Sequence, residues 1–170
     1  VEDGDTIFIN TSSTALLIIK YIIGKRVTVI TNNGKAIFTD HDSNVQIVLT
    51  GGELRIPKTS MVGDFALNNL NKVKANKSFL GCSGFDVKAG MSTAILQEVS
   101  INEIMISRCA GEVFILADAT KINYVHQFIV ADPSNFNYLI TDTRCTDEQI
   151  DQFTEKGIKT KRLSPIYIYK

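Results

Sequence analysis

Residues 6–23 read TIFINTSSTALLIIKYII, an apolar strand that runs through a polar turn at 10–14 directly into an apolar helix. Hydroxyl groups and the first backbone N–H groups of the helix therefore lie together, beside the carboxyl end of a strand. Those N–H groups lack partners within the helix and carry partial positive charge, so the turn suits a phosphate or a carboxylate. An ordinary Ser/Thr helix cap is the alternative interpretation of the same residues.

The composition is that of a soluble globular domain. The 170 residues are 44% hydrophobic and 21% charged, and Lys plus Arg balance Asp plus Glu at 18 each. This balance argues against binding nucleic acid through bulk charge. Cys82, Cys109 and Cys145 form no CxxC pair, which argues against a disulfide framework or a zinc site and favours a reducing cytoplasm. The longest apolar run is broken by Lys20, so no membrane span is expected, and nothing calls for a cofactor.

Strand-like and helix-like patterns alternate along the whole chain. Strands are predicted at 6–10, 26–31, 45–49, 78–80, 113–117, 128–130, 138–140 and 159–163. Helices are predicted at 13–23, 35–39, 61–70, 95–109 and 146–156, the last capped by Thr146. Such alternation predicts an α/β fold: a single three-layer domain over 1–170, with a mostly parallel sheet covered by helices on both faces.

The predicted strands end in polar, glycine-rich segments. Ligands of open parallel sheets bind outside the carboxyl ends of the strands, so these segments are expected to form one shared ligand pocket. They are NTSST (10–14), TNNG (31–34), TGGE (50–53), GCSG (81–84) and ADATK (117–121).

In this order and spacing, the segments resemble the effector-sensing domain of DeoR-type bacterial transcriptional repressors. The resemblance runs through EDGDTIFINTSSTA, VTVITNN, IVLTGGELR, SMVGDFAL, FLGCSGFD, ILADATK and YLITD. It implies a fold similar to ribose-5-phosphate isomerase, glucosamine-6-phosphate deaminase and coenzyme A transferases, with a phosphorylated sugar or related metabolite as effector. It also implies a helix-turn-helix domain upstream that contacts operator DNA, so a chain that begins without Met is expected to be a fragment. Self-association into a dimer or tetramer is a further implication.

By this resemblance the hydroxyl loop holds the phosphate of the effector. The phosphate-binding residues are predicted to be Thr11, Ser12, Ser13 and Thr14, together with Lys121. Ser12 and Ser13 stand where the family more commonly has Gly and Thr. A lysine on a strand-end loop supplies a point charge for phosphate, although a solvated surface lysine is the alternative for Lys121.

The sugar or the pocket wall is assigned to a second set of residues from the same strand ends. These are Asn10, Asn32, Gly51, Gly52, Glu53, Arg55, Gly81, Ser83, Gly84, Asp86, Glu98 and Asp118. Each has a plainer interpretation: tight turns for the glycines, a turn for Asn32, a surface position for Arg55 and a solvated helix face for Glu98.

Two other functions compete with that of a sensor. The isomerases that the chain resembles place carboxylates in an Asp-Gly-Ala-Asp-Glu motif, whereas residues 80–84 here carry no acid, and Glu98 stands without those partners. The other is an oligomerisation module without a ligand, which the polar strand ends disfavour; the apolar tail 166–169 serves self-association or completes the sheet.

His41 and His126 are too far apart to predict a metal site, and Cys82 is interpreted as a small buried thiol.

Overall fold

The computed structural model describes residues 1–56 and 58–164. The strands are β1 (Thr6–Ile9), β2 (Val27–Thr31), β3 (Val45–Leu49), β4 (Glu53–Arg55), β5 (Ser60–Val62), β6 (Ala75–Gly81), β7 (Gly84–Asp86), β8 (Gly90–Thr93), β9 (Cys109–Leu116), β10 (Phe128–Ala131), β11 (Tyr138–Asp142) and β12 (Lys159–Leu163). The α-helices are α1 (Ser13–Leu16), α2 (Asp64–Leu70), α3 (Leu96–Ser107) and α4 (Asp147–Glu155). Short 3₁₀ helices cover Leu17–Tyr21, Gly34–Phe38, Ala119–Lys121 and Pro133–Asn135.

A seven-stranded sheet with the order β12-β11-β9-β6-β1-β2-β3 forms the centre. All its neighbouring strands are parallel, which confirms the predicted α/β fold. The chain builds outward from β1 to β3, then returns to place β6 on the other side of β1 and continues to β12. The connections after β1 and β6 therefore leave in opposite directions, which opens a crevice between their carboxyl ends.

Alternating side chains of the sheet bury two separate cores. Along β1, Phe8 packs into a core with residues of α2, α3 and α4, such as Met105. Ile7 and Ile9 pack on the other face with Ala15 of α1 and its neighbours. This alternation follows from the two-residue period of a strand, and it accounts for the predicted helices on both faces.

The first helix is much shorter than predicted. The stretch 13–23 was expected to be one α-helix, but α1 ends at Leu16 and a 3₁₀ helix continues to Tyr21. Ile18, Ile19, Ile22 and Ile23 are β-branched, and such residues lose χ1 freedom against the preceding helical turn. The apolar run therefore buries its face without a regular helix.

Among the strands of the two small sheets, only β10 was predicted. The helix predicted from residue 61 begins at Asp64, because Met61 belongs to the hairpin of β4 and β5. Gly63 separates the two elements in the left-handed region, at φ 83°. A second sheet has the order β10-β8-β7. The four strands that were not predicted, β4, β5, β7 and β8, have only three or four residues each, which leaves little room for a period of two to show.

The C-terminal elements agree closely with the sequence. β12 has the predicted bounds, and α4 carries a capping box in which Thr146 Oγ1 accepts from the Gln149 backbone N–H at 3.2 Å. The apolar tail 166–169 lies outside the described residues. Within the described part of the chain, no helix is long and apolar enough to cross a bilayer.

Candidate functional site

A cavity of about 300 Å³ lies at the carboxyl ends of β1, β2, β6 and β9. It occupies the crevice that the strand order creates between β1 and β6. Eight of the residues predicted for the site line it: Asn10, Thr11, Ser12, Ser13, Gly81, Ser83, Glu98 and Lys121. Four of the five polar strand ends thus meet in one place.

The hydroxyl loop offers its donors to the cavity. Ser12 caps α1, since its Oγ accepts from the Ala15 backbone N–H at 3.3 Å. Thr11 Oγ1 accepts from Asn32 Nδ2 at 3.0 Å. Because each of these oxygens accepts from the protein, the O–H hydrogen of Thr11 and of Ser12 remains for a ligand. Since α1 has only four residues, hydroxyls rather than a helix dipole make this loop suited to an anion.

Ser12 fits its place because position 81 is a glycine. A Cβ built on Gly81 would lie 2.0 Å from Ser12 Oγ and 2.3 Å from Ser12 Cβ. The side chain that departs from the family's common Gly at position 12 therefore occupies the space that Gly81 leaves free. The two positions depend on each other across the β1–β6 crevice.

Asn10 ties the two sides of that crevice together. Its Oδ1 accepts from the backbone N–H groups of Gly81 at 3.0 Å and Ser12 at 3.2 Å. Its Nδ2 donates to Gly81 O and to Asn102 Oδ1 on α3, each at 2.8 Å. This buried network fixes the hydroxyl loop relative to β6 and α3, so the loop is preorganised.

Lys121 lies at the cavity on the 3₁₀ helix after β9. Its side chain is 29% exposed, and its Nζ is 3.8 Å from Asp118 Oδ2. Asp118 caps this helix by accepting from the backbone N–H of Thr120 at 2.9 Å and also accepts from the Thr120 hydroxyl. Lys121 is therefore a partly buried lysine at the cavity, with Asp118 beside it outside the lining, and its contact with phosphate stays a prediction.

Two further lysines line the cavity and were not predicted. Lys35 follows β2, and Lys58 lies in the β4–β5 turn. Backbone hydrogen bonds join these segments: Gly34 N donates to Thr59 O at 2.8 Å. Within residues 1–56 and 58–164, neither lysine forms an ion pair. No sequence signal indicated Lys58, because the hairpin that carries it was not recognised.

The cavity floor is formed by the start of α3 and the end of β6. Glu98 is buried at 8% exposure, so its interpretation as part of a solvated helix face is wrong. Its Oε2 accepts from Thr93 Oγ1 at 3.3 Å. Burial raises the pKa of the Cys82 thiol to about 12, against a smaller lowering by Lys121. Cys82 therefore stays protonated, as expected of an inert thiol. Asn33, Met91, Thr93 and Asn102 also line the cavity without having been predicted.

The strand end after β3 does not reach the cavity. Gly51, Gly52, Glu53 and Arg55 lie outside its lining, because β3 is the edge strand and its exit turns into β4. A Cβ on Gly52 would lie 2.5 Å from Val62 O, at a φ of 103°. Tight packing and a left-handed turn explain this glycine, which supports the plainer interpretation.

Other predicted residues also lie outside the lining. Thr14 is exposed on α1, and Asn32 lies behind the lining, where its Nδ2 donates to Thr11 Oγ1 and to Met61 O. Asp86 Oδ1 accepts from the backbone N–H groups of Lys88 and Ala89 at 2.8 Å, which closes the β7–β8 turn. A Cβ on Gly84 would lie 2.2 Å from Tyr124 O, so packing requires that glycine. In the described part of the chain, no group of three or more His, Cys, Asp or Glu residues is placed to hold a metal ion.

Residues 1–143 match the family described as the DeoR C terminal sensor domain. The chain belongs to this family. It is 31% identical to the uncharacterized HTH-type transcriptional regulator YulB of Bacillus subtilis, over 94% of this chain and 62% of that one. It is 26% identical to the HTH-type transcriptional regulator GolR of Listeria innocua, over 95% and 64%, and 28% identical to the lactose phosphotransferase system repressor of Lactococcus lactis, over 91% and 62%.

The sensor domain thus spans less than two thirds of the length of these regulators. Among solved structures, it is similar to ribose 5-phosphate isomerase from Plasmodium falciparum, with a TM-score of 0.46 and 13% identity over 72% of this chain and 46% of that one. The Neisseria gonorrhoeae ribose 5 phosphate isomerase A gives a TM-score of 0.45 and 17% identity over 72% and 47%.

Proposed function

We propose that this sensor domain binds a phosphorylated sugar or a related phosphorylated metabolite in the cavity. The observation that carries this proposal is a convergence of anion-binding groups from separate loops. The hydroxyls of Thr11 and Ser12 meet Lys35, Lys58 and Lys121 around one cavity. Several donors and cations aimed at one space are what a phosphate requires. Asn10 holds the hydroxyl loop in place, so a ligand that binds to these hydroxyls has to order little of the protein.

We further propose that the ligand is bound without being converted. Proton transfer at a sugar carbon needs a positioned carboxylate with further acid or base groups around it. Glu98 is the one carboxylate among the described residues that line the cavity, and the segment 80–84 carries no acid. The thiol of Cys82 is held protonated by burial, which raises its pKa to about 12. These features favour a sensor over a sugar-phosphate isomerase of similar fold.

In the full-length protein, the ligand acts on DNA binding by a helix-turn-helix domain. We propose a cytoplasmic homo-oligomer in which the effector binds one arrangement of the domains more tightly than another, since only differential affinity shifts such an equilibrium. Relief of repression at operator DNA is the expected direction. The names of the relatives, which are HTH-type regulators and a repressor, support this proposal.

Thermal unfolding against a panel of triose, pentose and hexose phosphates tests the binding. A ligand at a hundredfold excess over its dissociation constant stabilises by about 2.7 kcal/mol, which a melting curve resolves. We expect at least one sugar phosphate to stabilise the domain and to be recovered unchanged by ³¹P NMR. Conversion of the ligand would identify an enzyme, and a panel without any stabilising member would contradict sugar-phosphate binding.

A further inference from the structure

Only one of the two carboxylate oxygens of Glu98, a residue that lines the cavity, has a hydrogen-bond partner among the described residues. Oε2 accepts a hydrogen bond from Thr93 Oγ1 at 3.3 Å, whereas Oε1 is buried and has no hydrogen-bond partner. The whole residue is 92% buried, and it lines the cavity. A buried acceptor without a partner is costly, and more so when it is charged.

No neighbouring cation makes up for the missing hydrogen-bond partner of this oxygen. In residues 1–56 and 58–164, no Lys, Arg or His forms an ion pair with it. Asn102, one turn further along α3, donates to the Glu98 backbone O at 2.8 Å and accepts from Asn10 at 2.8 Å. Asn102 is thus committed elsewhere, and Glu98 is one of the residues that line the cavity.

We propose that Glu98 Oε1 accepts a hydrogen bond from a hydroxyl or amino group of the effector, as a second point of attachment besides the phosphate. This inference rests on the proposed function, and it narrows the ligand class. The effector is then a phosphorylated polyhydroxy or amino compound, and Glu98 distinguishes it from plain anions such as inorganic phosphate. In this proposal the loops with Thr11, Ser12 and Lys121 bind the phosphate, and Glu98 contacts the sugar or amino part of the effector.

Titration calorimetry with glycerol 3-phosphate, ribose 5-phosphate, glucose 6-phosphate and inorganic phosphate separates the two roles. Removing a hydrogen bond to a charged group predicts that Glu98→Ala weakens the best-bound sugar phosphate about 10- to 100-fold. The affinity for inorganic phosphate should stay within about twofold, because Glu98 does not contact the anion. Glu103→Gln, on an exposed residue of the same helix, is the matched control.

The outcomes separate this inference from the proposed function. Equal weakening of sugar phosphates and inorganic phosphate, or unchanged affinity for both, would overturn the role of Glu98 while leaving sugar-phosphate binding intact. If no sugar phosphate binds the unaltered domain, the proposed function fails and this inference with it. Glucosamine 6-phosphate adds one distinction: a preference for it over glucose 6-phosphate that vanishes in Glu98→Gln identifies an amino donor, and no preference identifies a hydroxyl.

A measurement without ligand tests the same idea. Glu98→Gln keeps the shape of the side chain but removes a buried charge that lacks a full set of partners. We therefore expect its melting temperature to be equal to or above that of the unaltered domain, with an unchanged circular dichroism spectrum. A melting temperature lowered by several degrees, with Glu103→Gln unaffected, would show a structural role and overturn the inference.

Discussion

The charged side chains at the amino ends of β1 and β6 differ from those that line the cavity at the carboxyl ends. At the amino ends of the strands, Lys77 Nζ lies 2.9 Å from Asp5 Oδ2, and these side chains are 16% and 8% exposed. At the carboxyl ends, the side chains of Lys35 and Lys58 form no ion pair within the described residues. The Oε1 atom of Glu98, in the same lining, has no hydrogen-bond partner there. The charges of Asp5 and Lys77 are paired with each other, whereas Lys35 and Lys58 at the cavity are left open to a ligand and Lys121 has only Asp118, at 3.8 Å.

The paired end also shows how burial and pairing act on one group. Burial is the largest single influence on Asp5 and raises its pKa. The hydrogen bonds from the Glu2 backbone N–H and from Lys77 together lower the pKa by more than burial raises it, so the net shift is downward. The pKa of Lys77 is raised by the same contact. The pair is thus held in its charged form throughout the neutral range.

Breaking the paired end should give the largest change in stability. Lys77→Met leaves the Asp5 carboxylate buried without its cation, and we expect the free energy of unfolding to fall by about 3 kcal/mol, measured by urea denaturation. Sugar-phosphate affinity should not change, because the pair is at the end of the sheet remote from the cavity. Arg26→Met, at the exposed pair with Asp3, is the control and should leave stability nearly unchanged. Loss of ligand affinity in Lys77→Met would contradict the separation of the two ends.

The same pair predicts a pH dependence. Since the pKa of Asp5 is lowered by folding, its contribution to stability is present above its unfolded value, at about pH 4, and is lost as the pH falls through the lowered pKa of the folded state. In Lys77→Met this stabilisation is absent, so the rise in unfolding free energy between about pH 3 and 5 should be smaller than in the unaltered domain. Parallel pH profiles of the two proteins would rule out this contribution.

The second-largest loss of stability is expected from a side chain that closes the crevice at the cavity end of the sheet. The Cβ of Gly81→Ala collides with Ser12, and we expect a loss of about 2 kcal/mol in unfolding free energy together with weakened ligand binding. Ser12→Gly removes both colliding atoms, so the double variant should recover most of the stability. Failure of Ser12→Gly to rescue Gly81→Ala would show that the two positions do not share this space.

Removing the partly buried lysine should affect binding without affecting the fold. Lys121→Met loses a charge-assisted contact with phosphate, for which we expect a loss of affinity of about 10- to 100-fold in titration calorimetry. Lys88→Met, an exposed lysine in the β7–β8 turn, is the matched control. An affinity equal to that of the control would remove Lys121 from the site.

The smallest effect is expected at the exposed lysines of the cavity. Lys35→Gln and Lys58→Gln should each weaken the ligand only about threefold, because exposed charges are screened by solvent and salt. Their effect should fade between 50 and 500 mM salt, on the order of the screening expected for surface charges. A salt-independent effect would place these side chains in direct, desolvated contact with the ligand.

The sequence predicted the parts of the molecule with strong local signals. A β-branched run located β2, an apolar run followed by Gly51 and Gly52 located β3, and the cap at Thr146 located α4. The parallel order of the sheet followed from the alternation of strands and helices, and the crevice at its carboxyl end placed the residues of the hydroxyl loop and Lys121 together.

What the sequence did not predict depends on contacts between distant segments. Lys58 reaches the cavity on a hairpin whose strands have three residues each, so no periodicity marked it. Glu98 was assigned to the pocket wall with a solvated helix face as the alternative, and only the packing of α3 beside the cavity shows that it is buried. Gly51 and Gly52 resemble ligand-binding glycines, although the edge position of β3 keeps them away.

The central claim, that the anion of a sugar phosphate is held by the hydroxyl loop after β1, is tested most directly by a crystal structure with the best-stabilising sugar phosphate. We expect the phosphate oxygens within hydrogen-bond distance of the hydroxyls of Thr11 and Ser12, with Lys121 Nζ beside them and the sugar intact. A ligand bound elsewhere on the domain, with this loop facing only solvent, would contradict the account.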